Sequence, residues 1–191
     1  MFAALKTAWA RKRLSNPAYA HLFDGHPDEM VSVDCETTSL NIREAELLSI
    51  GAVRIRGNRV LTSESFYMLV KPERLPIGAS VAVHGLRPID VSNGVPPMEA
   101  VKALLDFIGG RPLVGYYLEF DVAMHNRAIV PILGLGLPQR RIEVSALYHD
   151  FKFAQLPPHH QQGNVEIDLR FTTLLADLAL PQREAHDALN D

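Results

Sequence analysis

Residues 30–40, MVSVDCETTSL, are the most informative part of this chain about its fold. Apolar and polar residues alternate from Met30 to Cys35, which is typical of a β-strand with one buried face. Asp34 and Glu36 stand two apart at the end of this strand, so their carboxylates project from one face. Two like charges held this close resist joint ionisation, and a bound divalent cation would stabilise the pair.

Further strands and helices are predicted on both sides of this stretch. Strands are expected over residues 30–35, 47–56, 60–70, 113–117 and 141–144, and helices over residues 1–20, 96–108, 120–130, 144–153 and after Asp168, which caps the last one. Three strands followed by alternating strands and helices suit an α/β fold, with a mixed central sheet of about five strands flanked by helices. Ligand sites in such sheets lie beyond the carboxyl ends of the strands.

Composition excludes several classes of protein. The chain has 191 residues, of which 47% are hydrophobic and 21% charged, and this balance excludes wholesale disorder. The single cysteine, Cys35, excludes a disulfide framework and a multi-cysteine zinc site. No apolar run approaches the roughly 18 residues of a membrane span, so we expect no membrane partner. The net charge of −3 argues against coating nucleic acid by bulk charge.

Residues 1–28 form a predicted basic, helical N-terminal extension. Lys6, Arg11, Lys12 and Arg13 make its helix basic and amphipathic. The last three charges interrupt what would be the apolar region of an export signal, so a cytoplasmic location is expected. The helix is either a solvated surface or a contact for nucleic-acid phosphates or a partner protein.

Three separate motifs carry a family resemblance. They are VDCETTSL at residues 33–40, LVG through FD at residues 113–121, and AHDALND at residues 185–191. In this order they resemble the DEDDh 3′–5′ exonucleases, a DnaQ-like family that includes the proofreading epsilon subunit of bacterial DNA polymerase III. The resemblance covers residues 29–191, which we take as the exonuclease domain. It implies a ribonuclease H-like fold.

The resemblance also implies a catalytic set. Asp34, Glu36, Asp121 and Asp191 would hold two divalent cations, Mg²⁺ or Mn²⁺, and His186 would be the general base. This chemistry is coherent, because two cations can stabilise both the attacking and the leaving oxygen of a phosphodiester. An imidazole also titrates close to neutral pH.

Substrate-binding residues follow from the same resemblance. The backbone at Thr37 and Thr38 and the side chain of Leu40 would hold the 3′-terminal nucleotide, and His84 lies in a segment common in these enzymes. Tyr117 would either stack on a base or pack beside the strand. The family usually has Gly at position 39 and often has His-Asn at positions 116 and 117, whereas this chain has Ser, Tyr and Tyr.

The expected function is therefore metal-dependent 3′–5′ exonuclease activity on single-stranded DNA ends, of the proofreading or repair type. RNA trimming stays open, because no residue can be identified that discriminates against the 2′-hydroxyl. A subunit that mainly docks on a polymerase or repair protein is a further alternative. A structural Ca²⁺ site is disfavoured, because it does not explain the histidine of the third motif.

Several other polar residues receive structural interpretations. His125, four residues after Asp121, is expected to form a helix-surface pair with it rather than a metal site. Cys35 is expected in the core. Glu143 is interpreted as a plain surface carboxylate, slightly favoured over a supporting role beside the site. No role is assigned to His149, Asp150, His159 and His160.

Overall fold

The computed structural model of the protein describes residues 2–76, 81, 84–161 and 165–181. The strands within them are β1 (Glu29–Thr37), β2 (Leu47–Arg56), β3 (Arg59–Leu69), β4 (Leu113–Gly115) and β5 (Arg141–Glu143). The helices are α1 (Phe2–Arg13), α2 (Pro88–Ser92), α3 (Pro97–Ile108), α4 (Leu118–Leu133), α5 (Val144–Ala154) and α6 (Phe171–Asp177), with a 3₁₀ helix at Pro17–Phe23. Within this part of the chain, no helix is long and apolar enough to cross a bilayer.

The strands form one mixed sheet in the order β3-β2-β1-β4-β5. Strand β2 runs antiparallel to β1 and β3, whereas β4 is parallel to β1 and to β5. This confirms the predicted mixed sheet of five strands. The carboxyl ends of β1, β4 and β5 therefore meet at one edge, which we call the site edge.

The core lies where α3 and α4 pack together over the sheet. Val101, Leu104, Leu105 and Ile108 are fully buried on α3, as their helical spacing predicts. Strand β1 alternates buried and half-buried residues along its length, with Cys35 among the buried ones. The prediction that Cys35 is a core residue is confirmed.

The predicted boundaries around α4 need correction. Strand β4 ends at Gly115 rather than residue 117, because Tyr117 adopts a left-handed conformation, with φ 58°, as the N-cap of α4, which begins at Leu118. Helix α4 then continues past the predicted residue 130 to Leu133, where Gly134 ends it in the left-handed region. The short helix α2 was not predicted.

The N-terminal segment and the start of α6 also differ from the prediction. The N-terminal helix stops at Arg13, and a separate 3₁₀ helix starts at Pro17, so residues 1–20 are not one helix. Polar and apolar residues are not segregated around α1, which contradicts its predicted amphipathic character. Asp168 is not the N-cap of α6, because Arg170 occupies that position. Asp168 instead accepts hydrogen bonds from the Arg170 N–H and the Thr173 hydroxyl.

The segment after α1 is attached to the far end of α4. The Ser15 N–H donates to the Leu133 carbonyl at 2.8 Å, and Leu22 is buried in the main core. This attachment lies at the opposite end of α4 from its first turn, which reaches the site edge. The predicted domain boundary at residue 28 stays a prediction.

Candidate active site

The end of β1 presents two carboxylates on one face. Asp34 and Glu36 are half-buried, whereas Cys35 and Thr37 face the interior. The pairing of β1 with β2 shifts register between Glu36 and Thr37. Such an irregularity ends the regular ladder and redirects the side chains near it. The shared face predicted for Asp34 and Glu36 is present in the fold.

Helix α4 brings a third carboxylate to the same place. Asp121, in the first turn of α4, accepts a hydrogen bond from the Cys35 backbone N–H at 2.9 Å. Strand β4 pairs with β1 only as far as Ser32, so this N–H lies beyond the β4 ladder. Because Cys35 stands between Asp34 and Glu36 in the chain, Asp121 is joined to the backbone between the two other acids.

Asp34, Glu36 and Asp121 form an acidic cluster that is partly shielded from solvent. Asp121 is only 4% exposed. Burial, and secondly the charge of Asp34, raise its pKa from 3.8 to about 7, although the Cys35 N–H partly offsets both effects. Burial and the charges of Asp121, Asp34 and Glu36 raise the pKa of the Cys35 thiol well above its ordinary value, so it stays protonated. A divalent cation would offset the repulsion from Asp34, which is the smaller of the two causes that raise the pKa of Asp121.

Glu143, at the end of β5, caps the first turn of α4, which carries Asp121. The Glu143 carboxylate accepts from the Tyr117 and Leu118 N–H groups, both at 2.9 Å, and from the Ser145 N–H and hydroxyl. Burial alone would raise the pKa of Glu143, but these donors hold it below its ordinary value. The prediction of a plain surface carboxylate is wrong, because Glu143 caps both α4 and α5. Its place at a direct strand-to-helix junction was the available signal.

The two tyrosines before α4 have different surroundings. Tyr116 donates from its hydroxyl to the Leu169 carbonyl at 3.0 Å, and its ring lies 5.0 Å from that of Phe171. Tyr117 is 72% exposed and adopts the left-handed conformation described above. Such a conformation is costly for a residue with a side chain and is often found at functional sites. Tyr116 therefore packs beside the strand, and Tyr117 faces solvent.

The loop after β1 is held by its own hydroxyl groups. Thr37 donates to the Ser39 carbonyl, and Thr38 accepts from the Glu46 N–H. Ser39 does not have a positive φ, so its replacement of the usual glycine is compatible with this turn. Leu40 is 84% exposed at the loop tip. An exposed leucine next to two carboxylates suits contact with an apolar face of a ligand.

The remaining predicted site residues are His84, His186 and Asp191. His84 is buried, and its Nδ1 accepts from the Leu86 N–H at 3.1 Å. His186 and Asp191 lie outside the described residues, so their roles stay predictions. Within residues 2–76, 81, 84–161 and 165–181, no group of three or more His, Cys, Asp or Glu side chains has the geometry of a metal site.

His125 contradicts the predicted surface pair. It is fully buried on α4, one turn after Asp121, which is 4% exposed. Burial lowers the pKa of His125 to about 4, although the Asp121 carbonyl acts in the opposite direction. Neither ring nitrogen makes a hydrogen bond of good geometry. His125 is therefore a neutral core residue. Its spacing from Asp121 indicated a shared helix face but not that this face is buried.

Comparisons with known proteins agree with this arrangement. The family model described as Exonuclease (RNase_T) matches residues 31–191. The chain is 32% identical to the epsilon subunit of DNA polymerase III from Salmonella typhimurium over 97 residues, 48% of this chain and 40% of the subunit. It is 31% identical to RNA exonuclease 4 from Xenopus laevis over 124 residues, 64% of this chain and 26% of that protein. The chain thus spans less than half the length of these curated relatives.

A solved structure shows the same fold. The zinc-bound complex of E. coli exonuclease I with single-stranded DNA has a TM-score of 0.67 to this chain at 15% identity. The match covers 85% of this chain and 37% of that one. The predicted ribonuclease H-like fold is confirmed.

Proposed function

This chain belongs to the exonuclease family, as its three motifs predicted, and we propose that it is a 3′–5′ exonuclease. It hydrolyses phosphodiester bonds at single-stranded 3′ ends and releases nucleoside monophosphates. The observation that carries the proposal is the hydrogen bond from the Cys35 N–H to Asp121. This bond brings an acid from the second motif to the backbone between the two acids of the first motif.

The carboxylates are suited to divalent cations. Exonucleases of this type depend on divalent metal ions. Asp34, Glu36, Asp121 and Asp191 would hold two ions, Mg²⁺ or Mn²⁺, which when bound supply positive charge for the attacking and leaving oxygens. Oxygen ligands are the type that Mg²⁺ prefers. The raised pKa of Asp121 supports the fit, since a buried acid beside another acid lacks a compensating charge.

His186 takes the role of general base in this proposal. It would accept a proton from the attacking water, so that the water oxygen can bond to phosphorus. The bond from phosphorus to the 3′ oxygen of the preceding nucleotide breaks at the same time, and that oxygen leaves as a hydroxyl after taking up a proton from solvent. The third motif supplies both His186 and Asp191 from one short segment. The support for these two roles is the family match, which runs through residue 191.

Residues at the rim would hold the terminal nucleotide. The exposed Leu40 would wedge against the base, and the backbone at Thr37 and Thr38 would contact the nucleotide. The exposed ring of Tyr117 would stack on a base, since stacking needs an accessible aromatic face. His84 is retained as a further candidate for substrate contact.

DNA is the favoured polymer, because the motifs of this chain resemble those of proofreading exonucleases. The similarity to an RNA exonuclease keeps RNA trimming as the second candidate. The similarity to a polymerase subunit supports the third, a protein that docks on a polymerase or repair protein. A cytoplasmic location stays a prediction.

A cleavage assay tests the function. The protein is incubated with a 5′-labelled single-stranded DNA and with an RNA of the same sequence, in Mg²⁺, Mn²⁺ or EDTA. We expect products that shorten from the 3′ end, which EDTA abolishes. Asp34→Asn should abolish cleavage, and His186→Ala should slow it about 10²- to 10⁴-fold while metal binding persists. The matched control, Asp150→Asn, changes an exposed acid on α5.

Three results contradict parts of this proposal. Undiminished cleavage by Asp34→Asn contradicts the assigned site. Faster cleavage of RNA than of DNA favours the trimming alternative. A failure to cleave either polymer, together with a stable protein partner in purification, favours the docking subunit.

A further inference from the structure

The charge of this chain is concentrated at one end. Residues 1–23 contain four basic residues and no acidic ones, which leaves 15 of the 19 Lys and Arg residues but all 22 Asp and Glu residues for the rest. A protein with a net charge of −3 therefore has a cationic segment at its N-terminus. Local positive charge attracts a polyanion even where the total charge does not.

The last turns of α1 present these charges to solvent. Arg11, Lys12 and Arg13 are exposed, and no carboxylate in the described part of the chain forms an ion pair with them. Trp9 is 60% exposed, and the Arg13 guanidinium lies 4.4 Å from its ring centroid. We call Trp9, Arg11, Lys12 and Arg13 the N-terminal patch.

The chemistry of the patch suits single-stranded nucleic acid. Proteins bind such strands without sequence preference by combining cations for the phosphates with aromatic rings on which bases stack. The patch has both within five consecutive residues. The contact of Arg13 with Trp9 orients the ring, as cation–π pairs do. None of the described side chains of α1 is buried, so packing alone does not account for an exposed tryptophan here.

The patch lies away from the proposed catalytic residues. The chain leaving α1 is anchored to α4 by the bond from Ser15 to Leu133. Asp121 and Leu133 are twelve residues apart on α4, which at about 1.5 Å per residue separates them by roughly 18 Å. That is the length of about five nucleotides of a stacked strand at roughly 3.4 Å each.

We propose that the N-terminal patch is a second binding site for single-stranded nucleic acid, which holds the strand away from its reacting 3′ end. The proposal rests on the exonuclease function proposed above for the choice of ligand. Phosphates contact Arg11, Lys12 and Arg13, and a base stacks on Trp9. Strands longer than about five nucleotides can engage both the patch and the site edge, so they bind more tightly than shorter ones.

The test measures binding in EDTA, so that metal-dependent cleavage does not interfere. Labelled single-stranded DNA of increasing length, up to about twenty nucleotides, is titrated by fluorescence anisotropy at several salt concentrations. The affinity of the parent protein should rise once the strand exceeds about five nucleotides. Arg11→Gln/Lys12→Gln/Arg13→Gln should lose this rise, and its salt dependence should weaken by up to about two units of slope, since each single-strand phosphate contact contributes about 0.7.

A matched control removes the same amount of charge elsewhere. Arg59→Gln/Lys71→Gln/Lys102→Gln changes three exposed cations outside the patch that form no ion pair within the described residues. It should keep the length dependence of the parent. The proposal is overturned if the patch variant binds long strands as tightly as the parent, or if the control variant loses as much affinity. A patch that instead binds a protein or an anionic membrane would give the first of these results.

Trp9 provides an independent measurement, because it is the only tryptophan in the chain. Long single-stranded DNA should quench its fluorescence in the parent, and Trp9→Ala should bind about 5- to 150-fold more weakly. Unchanged fluorescence at saturating DNA contradicts the stacking contact. These binding results do not depend on cleavage, so failure of the exonuclease assay and failure of the second site can be distinguished.

Discussion

Asp121 shows how burial and a neighbouring charge act on a single residue. Its carboxylate accepts a hydrogen bond from the Cys35 N–H, yet burial and the charge of Asp34 still destabilise its ionised form. His125, one turn later, is held neutral by burial. The two residues share one buried helix face. Burial raises the pKa of the acid and lowers the pKa of the base, because it disfavours the charged form of each.

The first prediction concerns Asp121→Asn without metal. Between pH 3.8 and about 7, Asp121 is protonated in the folded protein and ionised in the unfolded chain. The folded state therefore binds more protons, and the free energy of unfolding falls as pH rises through this window. Asparagine does not ionise, so the variant should not lose stability in this way as the pH rises. We expect the variant to match the parent near pH 3.5 and to exceed its stability by up to about 4 kcal/mol above pH 7, in urea unfolding with EDTA.

The same unfolding experiment is repeated with Mg²⁺ in place of EDTA. At pH 8 the ion should stabilise the parent more than Asp121→Asn, because only the parent has the third carboxylate. Asp150→Asn, on an exposed surface, is the control for removing one charge. Parallel pH profiles for the parent and Asp121→Asn would show that Asp121 does not have the raised pKa.

At the scale of elements, α4 connects the site edge with the N-terminal segment. Its first turn is held by Glu143 from β5, and its last residue accepts the Ser15 N–H. The strand β4 that precedes α4 contributes only three residues, so the backbone turn at Tyr117 must be stabilised from outside. Glu143 does this by satisfying N–H groups that a helix start leaves without partners.

Glu143→Ala is therefore expected to act on two helices at once. Loss of the cap should lower the free energy of unfolding by about 1–2 kcal/mol. It should also reduce cleavage more than substrate binding, because Asp121 lies three residues beyond the capped Leu118. The control is Glu119→Ala, an exposed acid in the first turn of the same helix, which should change both little. Equal effects of the two substitutions would rule out the positioning role of Glu143.

At the scale of the whole molecule, the N-terminal segment has two parts. Helix α1 carries exposed side chains, whereas the 3₁₀ helix after it inserts Leu22 into the main core. The glycine at position 110 allows this segment to cross closely, since a Cβ there would lie 1.9 Å from the Asp24 carbonyl. The segment after α1 is thus part of the packed domain, and α1 extends from it.

This division predicts different outcomes for two apolar residues of the segment. Leu22→Ala should lower the free energy of unfolding by about 2–5 kcal/mol, because it leaves a cavity in the core. Trp9→Ala should change it by less than about 0.5 kcal/mol, because the ring is largely exposed. Both values are measured by chemical denaturation. A large loss for Trp9→Ala would mean that α1 packs on the domain.

The strand β1, the buried face of α3 and the candidate site residues were predicted from the sequence alone. Each of these rests on periodicity or on a local motif, which are properties of neighbouring residues. The alternation before Asp34 and the spacing of Val101, Leu104 and Leu105 are examples. The acids of the first and second motifs could be identified in the same way, but the hydrogen bond from the Cys35 N–H to Asp121 could not.

Contacts between distant parts of the chain became visible only in the folded structure. Asp121 meets Cys35 across 86 residues, and Glu143 meets Leu118 across 25. Neither partner can be inferred from a local pattern, because both follow from the order of the parallel strands. The same holds for His125 and Leu22, whose burial depends on which elements cover them. A short-range pattern indicates which residues lie on the same face of a helix, whereas only packing determines whether that face is exposed to water.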